Sequence, residues 1–281
     1  MKPLRFLTCV YGDDFADYLF VLLNSIDEVY GSDAQPIIYY DDLSLDVTKE
    51  IKRKSPRAKL YYYNLKQRGL NIQIEDGVKG HQQQIAIERF FMTAGVNDAL
   101  DGPMVVLDCD MLIRKRFDEH IPDPTNFDIM FTYKTEPGET FHWPVNCGIQ
   151  YVINSDKVRA FYNRWQKEVD GLVPYFNGGH YRKWGGIQQT VFGRMIDTRN
   201  SIDYMNPNGF VRDGCVLRGV PCKYMNEARR TANFEDACVV HYKGPWRKVL
   251  RERKFNLDIM RTDGGAMYDL WTGHLERWNE R

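Results

Sequence analysis

The sequence predicts an α/β fold in which a mainly parallel, twisted sheet is flanked by helices. Two observations lead to this prediction. Short apolar runs alternate with amphipathic helical segments along the first 63 residues, and a later apolar run ends in the triplet Asp108-Cys109-Asp110. Alternating strand and helix patterns are typical of parallel sheets with helices on their faces. A chain of 281 residues, 43% of them hydrophobic, can form the core of one such domain.

The first 63 residues predict a β-α-β-α-β unit. Strands are expected at residues 4–10, 36–40 and 59–63, with helices at 15–30 and 45–54. In the first helix, Leu19, Leu22, Leu23 and Ile26 recur at the spacing of one helix face. A polar turn at residues 11–14 separates the first strand from this helix. In open sheets of this kind, ligands bind beyond the carboxyl ends of the strands.

The rest of the chain continues the same alternation. Helices are predicted at residues 82–99, 155–169 and 187–196, the second with Ser155 as its N-cap. Strands are predicted at residues 128–133, 148–153 and 238–242 and in the run before Asp108, and a loop at 171–186. Because no Pro- or Ser-rich linker and no repeat divides the chain, we expect one domain over residues 1–250 and a C-terminal extension at 251–281.

Composition excludes several classes of protein. Lys and Arg total 38 and so do Asp and Glu, whereas nucleic-acid binding needs a basic surplus. The six cysteines are scattered without a Cys-x-x-Cys pair, which argues against a zinc finger and indicates reduced, buried thiols. The chain shows neither a signal-peptide core nor an apolar stretch of membrane-spanning length, so a cytoplasmic protein is expected.

The Asp-x-Asp triplet predicts a metal site. In an extended backbone, the side chains of Asp108 and Asp110 point to the same side. Two adjacent carboxylates at the end of a buried strand repel each other and are poorly solvated. A divalent cation with oxygen ligands, such as Mn²⁺ or Mg²⁺, would neutralise them and could also hold a phosphate. The triplet alone is a weak signal, because such triplets are common in loops.

A second segment supplies a third ligand. The run Val239-Val240-His241 predicts a strand that ends in histidine, and neutral imidazole is a good ligand for a manganese-like ion. Gly244 would let backbone amides approach a phosphate, and Arg247 or Lys248 would neutralise it. The structural alternatives are a hydrogen-bonded histidine at a strand end and cations on a solvated surface.

Taken together, Asp108-Cys109-Asp110 and the distant His241-x-x-Gly244 resemble the motifs of family 8 glycosyltransferases. This family includes glycogenin and the bacterial lipopolysaccharide galactosyl- and glucosyltransferases. The resemblance spans residues 4–248 and implies the GT-A fold, whose sheet is Rossmann-like, with a UDP-sugar donor, Mn²⁺ or Mg²⁺, and retention of configuration. It also implies that Asp108, Asp110 and His241 bind the metal and that Asp108 touches the ribose.

The resemblance extends to the donor site. The segment Gly12-Asp13-Asp14-Phe15 matches the family segment in which an Asp and an aromatic ring hold the uridine; Phe15 occupies the aromatic position and Tyr11 is an alternative ring. Arg89 lies where the family places a donor-binding Arg. The donor-binding residues implied are Thr8, Tyr11, Gly12, Asp13, Phe15, Arg89, Asp108, Cys109, Gly244, Arg247 and Lys248.

Asn146-Cys147-Gly148 resembles the family segment beside the transferred sugar, and residues 187–189 resemble its Asp-Gln-Asp segment. Here Ile187 and Gln189 replace both acids, while Gln188 matches the Gln. Asn146, Gln188 and Gln189 are therefore the implied catalytic residues. Since no carboxylate is evident near Gln188, attack by the acceptor hydroxyl on the face that the diphosphate leaves fits the sequence. Other acids that could take part are Asp128, Glu136 and Asp213.

The expected function is transfer of a hexose from UDP-glucose or UDP-galactose to a saccharide acceptor, a glycan or lipopolysaccharide. The aromatic loops at residues 142–143, 175–176 and 181–184 are candidates for acceptor stacking. Two other classes stay open: a nucleotide-sugar-binding protein with a decayed catalytic centre, and a haloacid-dehalogenase-type phosphatase, whose motif order differs.

The C-terminal extension predicts a helix with one apolar face, on which Leu270, Trp271, Leu275 and Trp278 lie. We expect this face to pack on the domain. The alternative is a peripheral contact with the inner surface of the membrane, close to a lipid-linked acceptor.

Overall fold

The computed structural model describes residues 3–63, 103–134, 144–153, 155–172, 187–198, 200–226, 236–242, 246, 249–250 and 264–281. The side chain of Ile187 is not among them. Several predictions therefore lie outside the described residues. These are the helix at 82–99, most of the loop at 171–186, the aromatic acceptor loops, Glu136, Arg89, Gly244, Arg247 and Lys248.

The described residues form ten strands and six α-helices. The strands are β1 (Leu4–Tyr11), β2 (Ala34–Asp41), β3 (Lys59–Tyr62), β4 (Met104–Leu107), β5 (Met111–Ile113), β6 (Ile129–Tyr133), β7 (Val145–Val152), β8 (Phe210–Arg212), β9 (Cys215–Pro221) and β10 (Val239–His241). The helices are α1 (Ala16–Tyr30), α2 (Leu45–Lys54), α3 (Asp156–Leu172), α4 (Ile187–Met195), α5 (Cys222–Met225) and α6 (Gly264–Glu280).

Eight of these strands form one sheet in the order β3-β2-β1-β4-β7-β6-β9-β8. β3, β2, β1 and β4 pair in parallel, and β9 is parallel to β6. β7 is antiparallel to both of its neighbours, and β8 is antiparallel to β9. Six strands therefore run in one direction and only β7 and β8 run in the other, which confirms the mainly parallel sheet. β5 and β10 form a separate antiparallel ribbon.

The predicted β-α-β-α-β unit is confirmed, with bounds close to those expected. Local capping explains this agreement. The side chain of Ser44 accepts a hydrogen bond from the Val47 backbone at the start of α2, and Ser155 accepts one from Val158 at the start of α3. Two local predictions were wrong. α1 begins at Ala16 rather than Phe15, because a 3₁₀ turn occupies Asp13–Phe15, and α3 continues to Leu172, into the predicted loop.

The Asp-x-Asp segment adopts a turn and is not extended. β4 ends at Leu107 and β5 begins at Met111, and Cys109 and Asp110 form a turn directly after Asp108. The prediction that an extended backbone aligns Asp108 and Asp110 was therefore wrong. The turn itself brings the two carboxylates together, as the site geometry shows below.

Helix α6 packs on α1 at the surface of the domain. Trp271, Leu275 and Trp278 are buried, and the ring of Trp278 stacks on that of Phe20 at 5.0 Å. Arg277 and Glu28 form an ion pair across the same contact. These contacts bury the apolar side chains of α6 against α1.

All six cysteines are reduced, as expected, and five of them are buried. Within the part of the chain that the structure describes, no helix has the length and apolar character needed to cross a bilayer.

Candidate functional site

The candidate site lies at the edge of the sheet where the parallel strands have their carboxyl ends. β1 ends at Tyr11, β2 at Asp41 and β4 at Leu107, immediately before the Asp108 turn. This is the edge at which open α/β sheets bind ligands. The ribbon of β5 and β10 brings the distant His241 to the same place, since His241 pairs with Met111.

Asp108, Asp110 and His241 form a compact cluster. One ligand atom from each lies within 4.8 Å of the others. His241 Nε2 is 3.1 Å from Asp110 Oδ1 and 3.5 Å from Asp108 Oδ2. Asp110 and His241 are buried, whereas 29% of the Asp108 side chain is exposed. Asp108 can therefore face both a metal ion and a substrate, while the other two are shielded from water.

Backbone hydrogen bonds hold the two acidic residues in place. The Asp108 N–H donates to the carbonyl of Gly148 on β7, at 2.9 Å. The carbonyl of Asp110 accepts from the Tyr242 N–H at 2.8 Å. The turn is thus tied to the sheet on one side and to the end of β10 on the other.

A chain of buried hydrogen bonds orients His241. Its Nδ1 lies 2.8 Å from Asn226 Oδ1. Asn226 Nδ2 donates to Thr132 Oγ1 at 2.9 Å, and Thr132 Oγ1 donates to the carbonyl of Asn146 at 2.8 Å. An imidazole whose Nδ1–H is held by an oxygen acceptor leaves its Nε2 lone pair for a ligand.

The cluster fits a divalent cation. His241 Nε2 is buried and has no hydrogen-bond partner among the described residues. In the neutral ring held by Asn226, this nitrogen is an acceptor that faces two carboxylates, which are also acceptors. Such an arrangement is unfavourable without a cation between the three groups. One imidazole and two carboxylates suit Mn²⁺ or Mg²⁺.

The turn after β1 has the strained geometry that only glycine tolerates. Gly12 has φ 73° and ψ 156°, and its N–H donates to the Asp41 carbonyl at 3.0 Å. Asp13 follows, and its Oδ1 accepts from the Ser44 N–H at 2.8 Å. The carboxylate that the resemblance assigns to the uridine therefore also ties this turn to the start of α2.

The two candidate aromatic rings differ in exposure. Phe15 is buried with Tyr18, their ring centroids 5.9 Å apart. Tyr11 is half-buried at the end of β1, and burial together with Asp42 and Asp41 raises the pKa of its hydroxyl. Two other donor candidates are buried. Thr8 lies within β1 with a hydroxyl that has no described partner, and Cys109 packs in the core.

Asn146, Gln188 and Gln189 occupy two elements that pack together, β7 and α4. Asn146 is buried, and its Oδ1 accepts from the Gly148 N–H at 3.1 Å. Gln188 is half-buried, and its carbonyl accepts from the Trp165 indole at 3.1 Å. Gln189 is buried. The register shift in the β6–β7 pairing falls beside Asn146, which pairs with Thr132.

Two of the alternative acids lie at the opposite edge of the sheet. Asp128 precedes β6 and accepts from both the Val216 N–H and Lys157. Asp213 precedes β9 and forms an ion pair with Arg164. Because β6 and β9 run in the same direction as β4, residues before them are far from Asp108, which follows β4. Neither acid can assist chemistry at the candidate site.

Sequence reasoning missed Asn226 and Thr132. Asn226 follows α5 and lies 15 residues before His241, and Thr132 lies within an apolar strand. The only sequence signal was a polar residue inside the run Ile129–Tyr133, which does not reveal its partner.

No protein-family model matches the chain, and neither does any curated protein sequence. Solved structures do resemble it. The galactosyltransferase LgtC, in complex with donor and acceptor sugar analogues, superimposes with a TM-score of 0.60 and 12% identity, over 98% of this chain and 96% of that one.

Two further glycosyltransferases are similar over the whole of this chain. The bifunctional WbbM matches with a TM-score of 0.56 and 11% identity, and 52% of its own chain is covered. GlyE of Streptococcus pneumoniae TIGR4 matches with a TM-score of 0.54 and 12% identity, over 64% of its chain. At such identities the likeness establishes the fold. The eight-stranded, mainly parallel sheet with its flanking helices is thus the GT-A fold of glycosyltransferases.

Proposed function

We propose that this chain is a metal-dependent glycosyltransferase. It would move a hexose from UDP-glucose or UDP-galactose to a hydroxyl of a saccharide acceptor, a glycan or a lipopolysaccharide-type saccharide, with retention of configuration. The observation that carries the proposal is the buried His241 Nε2, which faces Asp108 and Asp110 at the ligand-binding edge of the sheet. The fold shared with glycosyltransferases supports it.

In this proposal, Asp108, Asp110 and His241 hold a Mn²⁺ or Mg²⁺ ion. The bound ion would act as a Lewis acid that neutralises the charge of the leaving diphosphate. Asp108 is the exposed member of the cluster, so its second oxygen can accept a hydrogen bond from the ribose of the donor. Gly244, Arg247 and Lys248, which follow His241 in the sequence, would add donors and positive charge on the phosphates.

The other residues would orient the donor and the acceptor. Gly12 and Asp13 position the turn at the uridine, and Tyr11 or Phe15 supplies a ring. Asn146 would face the transferred hexose, with Gln188 and Gln189 on the packed helix α4 beside it. Because Asp128 and Asp213 lie at the far edge of the sheet, neither would serve as a nucleophile at this site. Same-face attack, in which the leaving phosphate oxygen accepts the acceptor proton, agrees with that arrangement.

Calorimetric titration of UDP, with and without Mn²⁺, tests the proposal. We expect binding that depends on Mn²⁺ and is lost in both Asp110→Ala and His241→Ala. Glu276→Ala, which removes an exposed carboxylate on α6, should bind as the parent protein does. UDP binding that is indifferent to metal and to both site substitutions would overturn the assignment.

A second measurement separates an active enzyme from a decayed binding protein. UDP-glucose and UDP-galactose are incubated with Mn²⁺ and a panel of saccharides, and release of UDP and of product is followed by NMR. Slow donor hydrolysis or transfer with the α-configuration retained supports the enzyme. Tight, metal-dependent binding without turnover on any acceptor would favour the binding protein, and hydrolysis of generic phosphate esters would favour the phosphatase.

The proposed donor is a cytoplasmic metabolite, so the site of action would be the cytoplasm. A lipid-linked acceptor would bring the protein to the inner face of the membrane. Because Trp271, Leu275 and Trp278 are buried on the domain, a peripheral contact of residues 251–281 would have to use other side chains of this extension. Vesicle flotation with the complete chain tests that contact.

A further inference from the structure

We propose that Asn226 and Thr132 are positioning residues that hold His241 in one tautomer. They keep the imidazole proton on Nδ1, so that Nε2 presents its lone pair between Asp108 and Asp110. This inference rests on the proposed function, because it concerns how the metal ligand is prepared.

Three hydrogen bonds link His241, Asn226, Thr132 and the Asn146 carbonyl into a relay. The chemistry of Thr132 sets the direction of each of them. Its hydroxyl has one proton, and the carbonyl of Asn146 at 2.8 Å can only accept it. Thr132 Oγ1 must therefore accept from Asn226, whose amide nitrogen lies 2.9 Å away. The reverse orientation would place two acceptor oxygens against each other.

The orientation of the Asn226 amide then decides the tautomer of His241. With Nδ2 directed at Thr132, the Oδ1 atom faces His241 Nδ1 at 2.8 Å. An amide oxygen can only accept, so Nδ1 must carry the proton. In the neutral ring, Nε2 is then unprotonated, which is the form that binds a metal ion.

Burial makes this relay difficult to replace with water. Thr132 is 0% exposed, Asn226 1% and His241 3%. Inside a low-dielectric interior, each hydrogen bond is strong and an unpaired partner is costly. The backbone is also held: the Asn226 N–H donates to the Cys222 carbonyl at 2.8 Å at the end of α5.

The relay connects the metal ligand to the residue proposed to face the sugar. The Asn146 carbonyl accepts the hydrogen bond from the Thr132 hydroxyl, while the Asn146 side chain accepts one from the Gly148 N–H. A disturbance at Thr132 should therefore reach His241 although two hydrogen bonds separate them.

The test uses two matched pairs of variants. Thr132→Val removes the hydroxyl at nearly constant volume, whereas Thr132→Ser keeps it. Asn226→Leu removes the acceptor, whereas Asn226→Asp keeps an oxygen that accepts from Nδ1. Because its second oxygen cannot donate, the Thr132 hydroxyl is expected to turn from the Asn146 carbonyl and donate to that oxygen. Each is examined as the metal-free protein by ¹⁵N NMR of labelled histidine at alkaline pH, with the His241 signals assigned from His241→Ala. Each is then titrated with Mn²⁺ alone.

We expect Nδ1 to carry the proton in the parent protein, in Thr132→Ser and in Asn226→Asp, with Mn²⁺ affinity close to that of the parent. Thr132→Val and Asn226→Leu should show a mixture of tautomers or the Nε2–H form. Their Mn²⁺ affinity should fall by about 10- to 100-fold, the typical cost of losing such an outer partner. Circular dichroism and thermal melting confirm that each variant is folded.

The outcomes separate this inference from the proposed function. If Asp110→Ala and His241→Ala lose Mn²⁺ binding but Thr132→Val and Asn226→Leu keep both affinity and tautomer, the positioning role is overturned and the metal site stands. If Asp110→Ala and His241→Ala bind Mn²⁺ as well as the parent, the metal site itself fails. An Nε2–H tautomer in the parent protein overturns the inference even if the valine and leucine variants do not fold.

Discussion

Gly148 lies directly against the imidazole ring of His241. A Cβ atom at Gly148 would stand 2.8 Å from His241 Cε1, 2.9 Å from His241 Nδ1 and 2.7 Å from the Met111 methyl. The same Nδ1 atom is held by the Asn226 hydrogen bond, so a shift of the His241 ring away from an added Cβ would disturb that bond. The position of the His241 ring therefore requires glycine at position 148, because a larger residue would overlap the ring.

Gly148→Ala should weaken Mn²⁺ binding by about ten-fold or more, because the added methyl displaces the ring from its hydrogen bond. Overpacking should also lower the free energy of unfolding by about 1–3 kcal/mol. The matched control is Gly171→Ala in α3, where an added Cβ meets nothing within 4 Å and should stabilise the helix by up to about 1 kcal/mol. Titration with Mn²⁺ and urea unfolding measure both effects; parent-like metal binding in Gly148→Ala would show that the ring can shift freely.

The uridine should stack on Tyr11 rather than on Phe15. Tyr11 is half-buried at the carboxyl end of β1, whereas only 7% of Phe15 is exposed. Tyr11→Ala should weaken UDP binding by about 1–3 kcal/mol, the usual value of one base on one ring, and Tyr11→Phe should retain it. Phe15→Leu should lower stability but leave the UDP affinity within about two-fold. Calorimetry in saturating Mn²⁺ measures the UDP affinity of each variant. A larger loss of affinity in Phe15→Leu than in Tyr11→Ala would show that the uridine stacks on Phe15.

Trp278 should anchor the C-terminal helix to the domain. Its ring is fully buried and stacks on Phe20, and its indole N–H donates to Glu50 Oε1 at 3.1 Å. Trp278→Ala should lower the free energy of unfolding by about 3–5 kcal/mol. The exposed Glu276→Ala on the same helix should change it by less than about 0.5 kcal/mol. Urea unfolding of the complete chain tests this; a small effect of Trp278→Ala would mean that α6 is only loosely attached.

Stability should fall in mild acid because of His274. This side chain is buried against α1, where Nδ1 lies 3.0 Å from Asn24 Nδ2 and 3.5 Å from Glu28 Oε2. Burial lowers the pKa of His274 to about 4, an effect that the nearby Glu28 carboxylate opposes only in part. The unfolded chain, with an ordinary pKa of about 6.5, takes up this proton first as the pH falls. The stabilising contribution of neutral His274 to the free energy of unfolding is thus complete above pH ~6.5 and decreases towards pH ~4.

We expect the free energy of unfolding to drop by about 1–2 kcal/mol from this group between neutral pH and pH ~4.5. His274→Gln keeps an oxygen that can accept from Asn24 but does not titrate. The free energy of unfolding of the parent protein minus that of His274→Gln, measured with urea at several pH values, should therefore shrink or change sign in acid. A constant difference across that range would show that His274 is protonated in the folded state at the same pH as in the unfolded chain.

Much of the fold could be predicted from local patterns. The strand and helix at residues 4–30 and the helix at 45–54 follow from apolar periodicity, which acts between neighbours in the chain. The bounds were least accurate where a tight turn intervened. The 3₁₀ turn at Asp13–Phe15 depends on Gly12 and on a hydrogen bond from Gly12 to Asp41, which is distant in sequence.

The grouping of Asp108, Asp110 and His241 was predictable from the sequence, but the residues that support this cluster were not. Asp108, Asp110 and His241 were identified from residue type and resemblance, yet the reason given for the alignment of the two acids was wrong, because they lie in a turn. Asn226, Thr132 and the steric role of Gly148 depend on which strands become neighbours. Strand pairing between residues as far apart as Met111 and His241 leaves no trace in local periodicity.

The sequence by itself determined the class of fold, the elements of residues 4–63 and the chemical identity of the candidate metal ligands, because side-chain chemistry and short-range periodicity are properties of neighbouring residues. Only the tertiary structure decided the order of the strands, the edge at which Asp128 and Asp213 lie, and the hydrogen-bond relay that selects one nitrogen of His241. These depend on the pairing of distant strands and on the exclusion of water between them, which act only when the whole chain is folded.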